Sequence, residues 1–414
     1  MISKMKKVII ISLLSVITGW FTTGVFANND SDLIKQGNNE FALNLYSQIK
    51  NLSEIKQAEG NLFFSPYSIS TALAMTYTGA RGNTAKEMAD VLKFPSLKLE
   101  EIASAFGELQ KQLQADKENR GYQLNVANAL WGQKGFGFLN EYLEFNKKYY
   151  GSELTELDFA KSEEARKIIN TWVEEKTNDK IKDLIPSGSI DSMTRMVLTN
   201  AIYFKGDWSI QFKEENTEEA DFNVTKDKKV KAQMMYQKEK FDYAELDNMQ
   251  LLQLPYKGEE LSMLILLPKT IDALESVEAG LKPDTLAANL KQMRKREVDV
   301  YLPKFKITCG TIEMKEILAA MGMKDAFSDA ADFSGMNGKR NLYISAVMHK
   351  AFVEVNEEGT EAAAATGVGI SLKSIPMPPP VFRADRPFIF MICDNRSQSI
   401  LFMGKVCNPE LKNQ

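Results

Sequence analysis

The chain has 414 residues, 44% of them apolar and 26% charged, with a formal net charge of −4. This is the composition of an ordinary globular protein, and the even spread of acids and bases, with no long basic block, excludes a nucleic-acid partner. One histidine and three widely spaced cysteines, Cys309, Cys393 and Cys407, supply neither a metal-ligand spacing nor a disulfide framework.

In chain order, the N-terminus is a separate element. Lys4, Lys6 and Lys7 precede an apolar run from Val8, and Val25-Phe26-Ala27 offers small residues at the cleavage-site positions. The pattern predicts a signal peptide over residues 1–27 and a secreted protein, extracellular or periplasmic. The alternative is an uncleaved anchor, because Val8 to Phe26 spans 19 residues, but Thr18, Gly19, Thr22, Thr23 and Gly24 interrupt its second half. Cleavage removes three lysines and takes the net charge from −4 to −7. No repeat or linker divides the remainder, so residues 28–414 are expected to form a single domain.

Ser65-Pro66 predicts a helix start, with serine as the cap and proline in the first turn, and Gly79 predicts its stop. Thr84-Ala85-Lys86-Glu87 reads as a capping box ahead of Met88, Val91 and Leu92. A third helix carries Ala165, Ile168, Ile169, Trp172 and Val173 on one face. Leu124, Val126, Asn128 and Leu130 alternate as in a strand, and Leu261 to Leu267 is apolar enough to be a strand covered on both faces. Phe388 to Cys393 and Ile400 to Val406 read as a terminal hairpin. The fold class is α+β with substantial sheets.

The segment from Glu357 to Ser374 has a double character. At even positions from 360 stand Thr360, Ala362, Ala364, Thr366, Val368, Ile370 and Leu372, and the odd positions are small or polar. That is the alternation of a half-buried strand. Yet Pro376, Pro378, Pro379 and Pro380 follow at once, which favours an extended surface segment. The same residues therefore suit two resting places.

Catalytic chemistry has little to draw on. His349 is the one possible imidazole base, and it lies in the strand-like stretch Ile344 to Val355 with no nucleophile motif beside it. A buried, hydrogen-bonded histidine is the expectation. No phosphate-binding or dinucleotide glycine motif occurs, and the adjacent pair Glu357-Glu358 cannot face itself across a cleft. Neither an enzyme nor a cofactor or metal is expected.

Several separated stretches resemble the serpin family and together cover nearly all of residues 35–414. Asn61-Leu62-Phe63-Phe64-Ser65-Pro66-Tyr67-Ser68-Ile69-Ser70 is similar to that family's first core helix. Asn170-Thr171-Trp172-Val173-Glu174-Glu175-Lys176-Thr177 resembles the helix that crosses its main sheet, and Thr199 to Trp208 resembles the third strand of that sheet. His349 to Val355 and then Glu357 to Thr366 resemble the strand that leads into the reactive-centre loop and the loop's hinge. The resemblance implies three β-sheets, eight or nine helices and an exposed bait loop at about 357–380. It implies a suicide-substrate inhibitor that traps a serine protease as an acyl-enzyme while the cleaved loop inserts into the main sheet, a strand addition that releases strain.

Within that resemblance the hinge is Glu357, Glu358, Gly359, Thr360, Glu361, Ala362, Ala363, Ala364, Ala365 and Thr366, and none of its inward positions is charged or large. Family spacing places the reactive bond at Lys373-Ser374, which suits a trypsin-like target. The loop looks about three residues longer than in common inhibitory members, which would move the bond toward Pro376-Met377 if the extra residues precede it. Leu372 is the alternative bait, for chymotrypsin-like or cysteine proteases. Thr360 to Lys373, fully extended, spans roughly 45 Å at about 3.3 Å per residue, against a radius of gyration of about 21 Å for such a domain. Ser65, Ser68, Asn200 and His349 are implied as a hydrogen-bonded cluster beneath the opening strands, with Trp208 where the loop enters. Leu97 to Ala115 lacks the basic helix of heparin-regulated members, so no such activator is expected, and the protein is expected to be a monomer. The rival readings are a non-inhibitory carrier or chaperone of the same family, and a hydrolase built on His349.

Overall fold

Helices and strands form where the apolar periodicity places them, with three instructive differences. The structure, a computed structural model, describes residues 29–53, 55, 59–114, 121–152, 154–358 and 378–410. The expected signal peptide, the hinge from Gly359 to Thr366 and the bonds at Leu372, Lys373 and Ser374 lie outside the described residues.

Pro66–Tyr77 is a helix whose cap is Ser65, the hydroxyl accepting from the Ser68 amide, as the Ser-Pro pair predicts. Every residue from Pro66 to Thr76 is buried, so this helix is a core element rather than an amphipathic surface one. The next helix, Gly82–Leu92, corrects the expected capping box: it starts at Arg81, which makes no side-chain cap. Thr84 instead accepts from the Asp332 amide at 2.9 Å, and Glu87 takes the amides of Lys324 and Asp325 at 2.8 Å each. Those tertiary partners outcompete the local ones. In helix Ser162–Lys176, Ala165, Ile169 and Val173 are buried, but Ile168 is 44% exposed, so the apolar stripe is narrower than expected.

Fifteen strands and ten α-helices, the shortest the single turn Ser334–Asn337, occur among the described residues. The strands form two hydrogen-bonded sheets of nine and six members. The nine-stranded sheet joins two of the three expected sheets through the 17-residue strand Lys229–Glu245. One end of it pairs with Glu218–Asn223 and the other with Met249–Pro255, so hydrogen bonding runs on without a break. Leu261–Pro268 is buried at every position, and Phe388–Asp394 pairs with Ile400–Val406 as the expected hairpin.

The six-stranded sheet runs Phe305–Thr308, Ile344–Val355, Met196–Gly206, Tyr122–Gln133, Leu154–Leu157, with Ile312–Glu313 also on the second of these. Helix Ser162–Lys176 covers one face through Ile169 and Val173 against Ala127, Ala201 and Met348. The other face joins the main core, where helix Pro66–Tyr77 lies between the two sheets. Both faces are dry.

Candidate functional site

The central seam of the six-stranded sheet is parallel. Ile344–Val355 pairs with Met196–Gly206 from Ile344↔Met196 to Val353↔Phe204, and the next strand, Tyr122–Gln133, is antiparallel to the latter. A chain that leaves the top of Ile344–Val355 and turns back would run antiparallel to both strands of this seam. Parallel pairs are slightly weaker than antiparallel ones, so replacing one parallel seam by two antiparallel seams is favourable in hydrogen bonding.

Register builds a polar row beneath the seam. His349 stands opposite Asn200, and Asn200 stands opposite Asn128, so three side chains line up across three strands. They meet the start of helix Pro66–Tyr77. The Ser65 amide donates to His349 Nε2 at 3.3 Å, and His349 Nδ1 and Asn200 Oδ1 are 2.5 Å apart. Asn200 Nδ2 donates to Ser68 Oγ at 2.7 Å and also to Asn128 Oδ1. Ser68 Oγ in turn donates to Asn128 Oδ1 at 2.9 Å, and Ser65 Oγ donates to Leu401 O at 2.7 Å.

These partners assign the histidine's protons. Nε2 receives an amide N–H, so it carries a lone pair; Nδ1 faces an amide oxygen, so it carries the hydrogen. The ring is therefore neutral and fully used. Burial pulls its pKa down to about 3, because the charged ring would lose its hydration, and the contact with Asn200 only partly offsets this. Ser65, Ser68, Asn200 and His349 thus come together, and Asn128 joins them as a fifth member that the resemblance did not supply. Its signal was present: it is the polar residue in the alternation of Leu124, Val126 and Leu130.

At the top of the seam a second set of contacts fastens the chain where it leaves the sheet. Trp208 Nε1 donates to Asn356 O at 2.9 Å, and the indole stacks on Tyr256 with ring centres 4.8 Å apart. Gln211 Nε2 donates to Glu358 O at 2.8 Å. Glu357 is 5% exposed, yet its carboxylate is paired: Thr217 Oγ1 donates at 2.8 Å and Lys304 Nζ lies at 2.6 Å. Burial alone would raise the Glu357 pKa, but the Lys304 and Thr217 contacts outweigh it and hold the carboxyl below its ordinary value. Trp208 is placed beside the chain where it leaves the sheet at Asn356. Lys304, Thr217 and Gln211 have no local signal in the sequence, since each meets the hinge only through the fold.

Other reactive groups are poorly placed for catalysis. Neither Ser65 Oγ nor Ser68 Oγ bonds the imidazole. Burial pushes the thiols of Cys309, Cys393 and Cys407 up to about 11, about 12 and about 11, which keeps them protonated and weak as nucleophiles. Among the described residues no group of three or more His, Cys, Asp or Glu side chains is arranged to hold a metal ion.

Comparisons with known proteins agree with this architecture. The family profile described as Serpin (serine protease inhibitor) matches residues 36–409. The chain is 44% identical over 392 residues to the leukocyte elastase inhibitor of Sus scrofa, covering 91% of this chain and 99% of that protein. It is 42% identical over 394 residues to Serpin B3 of Homo sapiens, again covering 91% and 99%. Uncleaved ovalbumin superposes with a TM-score of 0.81 at 32% identity, covering 91% of this chain and all of that one. These relatives correct the expected localisation. The expectation of a secreted protein is contradicted by these relatives, the leukocyte elastase inhibitor and Serpin B3. The basic start and apolar run at residues 1–27 precede the region matched to the family, so that pattern has no support from the shared fold. Among the described residues no helix is long and apolar enough to cross a membrane. Motif order, sheet topology, family match and relatives agree: the chain belongs to the serpin family, whose members are described as serine protease inhibitors.

Proposed function

We propose that this serpin is a suicide-substrate inhibitor of serine endopeptidases, trapping its target as an acyl-enzyme when the cleaved loop enters the seam between Met196–Gly206 and Ile344–Val355. The parallel seam directly below the hinge is the observation that carries the reading. Its length supports it as well: the 12 residues of Ile344–Val355 rise roughly 40 Å, close to the extended length of Thr360 to Lys373. Hinge positions Thr360, Ala362, Ala364 and Thr366 would face inward, and their small, uncharged side chains could enter the sheet without the desolvation cost of a buried charge.

The proposed reactive bond is Lys373-Ser374, with lysine matched to the acidic pocket of a trypsin-like enzyme. A second reading has specific support. The relatives named leukocyte elastase inhibitor favour an elastase-type target, and Leu372 then offers the apolar bait. In either case Ser65, Ser68, Asn200 and His349 are proposed to latch the seam, and Trp208 to mark the point of entry.

Incubation with trypsin and, separately, leukocyte elastase tests both readings. The inhibitor should give a complex that survives SDS, and the released C-terminal fragment should begin at Ser374 with trypsin or at Lys373 if Leu372 is the bait. Cleavage without any complex, together with an unchanged melting temperature of the cleaved protein, would sink the proposal and leave the carrier or chaperone reading.

A further inference from the structure

Insertion as proposed above has a cost at one place, the polar row beneath the seam. His349 Nδ1 carries a hydrogen and lies 2.5 Å from Asn200 Oδ1, and both residues are fully buried. They stand opposite each other on the two strands that a new strand would part. Neighbouring strands lie about 4.8 Å apart, so an inserted strand sets these two backbones about 9.6 Å apart. The direct contact cannot survive that separation. One donor and one acceptor would be orphaned in the core, and their other bonds do not replace it. His349 Nε2 stays with the Ser65 amide, and Asn200 Nδ2 stays with Ser68 and Asn128.

Register names the loop residue that would arrive between them. Trp208 holds Asn356 O and Gln211 holds Glu358 O, so these residues belong to the turn above the seam, which Gly359 completes. A turn of residues 356–359 sets Thr360 opposite Val355 in an antiparallel pair, with each later loop residue opposite one residue lower. Continuing the pairing of Val353 with Phe204 sets Thr360 opposite Gly206 on the other side. Six residues on, Thr366 falls opposite both His349 and Asn200. Two checks support this register. Val347, Ala351, Val353 and Val355 face the main core, whereas Ala346, Met348 and Phe352 face helix Ser162–Lys176. Residues directly opposite in a sheet share a face, so the even loop positions, all small or apolar, go to the core. Ala364 would then meet Ala351 and Ile202, and Val368 would meet Val347 and Leu198, so apolar meets apolar on either side of the row. A slip of two residues would bring Ala364 or Val368 into the row, and neither can bond there.

We infer that Thr366 is a positioning residue of the inserting loop, its hydroxyl replacing the parted contact by accepting from His349 Nδ1–H and donating to Asn200 Oδ1. A hydroxyl is the small side-chain group that gives one hydrogen bond and receives another, which is what the broken pair lacks. Resting on the insertion reading, this role gives the seam a chemical preference at one loop position, where the neighbouring positions ask only for small or apolar side chains.

Synthetic peptides with the sequence of residues 360–373 test this on the unaltered full chain, so no variant protein has to fold. The parent peptide, a Thr366→Val version of nearly the same shape and a Thr366→Ser version are each titrated in. Insertion is read by the rise in melting temperature and by nitrogen NMR of the imidazole, whose signals need no assignment because His349 is the one histidine of the chain. The parent and Thr366→Ser peptides should raise the melting temperature and move the Nδ1 signal while it stays a hydrogen-bonded N–H. The Thr366→Val peptide should bind about three- to tenfold more weakly, the loss of one neutral hydrogen bond, and its complex should show Nδ1–H without an acceptor. Three peptides equal in affinity and in imidazole signal would overturn the role of Thr366 and leave insertion standing. Failure of all three to raise the melting temperature or move the signal would overturn the insertion reading and this role with it.

Discussion

Lys304→Met isolates the contact that anchors the hinge. Its ammonium lies 2.6 Å from the Glu357 carboxylate, which is only 5% exposed, while the lysine side chain itself is 29% exposed. Removing one partner of a fully buried pair costs about 3–5 kcal/mol, because the remaining charge is left without its ion. Here solvent reaches the lysine and Thr217 still donates to the carboxylate at 2.8 Å, so about 2–3 kcal/mol is the expected loss. Chemical denaturation followed by tryptophan fluorescence reads it, with Trp208 bonded to the neighbouring Asn356 as a local reporter. Glu357→Gln and the double variant complete a cycle, whose coupling energy should be about 1–3 kcal/mol.

The pH dependence of that loss has a definite sign. Glu357 has a folded pKa lowered from 4.5, so its stabilisation is present above about 4.5 and is lost as pH falls through the folded value. Without Lys304 the buried carboxyl should titrate higher than in the parent protein. The gap between parent and variant should therefore be full at neutral pH and should close in acid. A variant within about 0.5 kcal/mol of the parent at neutral pH, with no coupling in the cycle, would refute the anchoring argument.

Three further outcomes can be checked on the same footing. His349, held neutral with a pKa near 3 against an ordinary 6.5, makes the native form less stable as pH falls from about 6.5 toward 3. The slope should reach roughly 1.4 kcal/mol per pH unit, and His349→Phe should remove that component from the denaturation profile; an unchanged slope would count against the neutral assignment. Asn128→Ala should cost about 1–2 kcal/mol, because Ser68 and Asn200 lose partners at a half-buried position, and thermal melting close to the parent's would deny Asn128 its place in the latch. Trp208→Phe should cost only about 1 kcal/mol, the bond to Asn356 O, whereas Trp208→Ala should cost about 3 kcal/mol or more by also losing the stack on Tyr256; equal losses would mean that the indole N–H does not matter.

Much of the fold was legible because it rests on short-range rules. Serine followed by proline marked the helix at Pro66, unbroken apolar runs marked Leu261–Pro268 and the terminal hairpin, and ordered motifs identified the family. Where local rules failed, a distant partner had overruled them. Thr84 and Glu87 form no capping box because backbone amides of Asp332, Lys324 and Asp325 claim their side chains. Ile168 matches the helical period yet faces outward, since the sheet beneath accepts only the narrower stripe of Ala165, Ile169 and Val173.

The sequence by itself determined which residues could enter a sheet: the small, alternating hinge from Thr360 to Thr366 is a property of neighbouring side chains and needs no coordinates to read. Tertiary structure alone decided what surrounds the place they would enter. Asn128, Asn200 and His349 become one row only through strand register, and the two strand partners of Asn200 come from segments 72 and 149 residues away. Lys304 and Thr217 reach Glu357 from distant segments, Thr217 across 140 residues. Side-chain periodicity is set within a few residues, whereas a buried polar group must be satisfied by whatever the fold brings beside it.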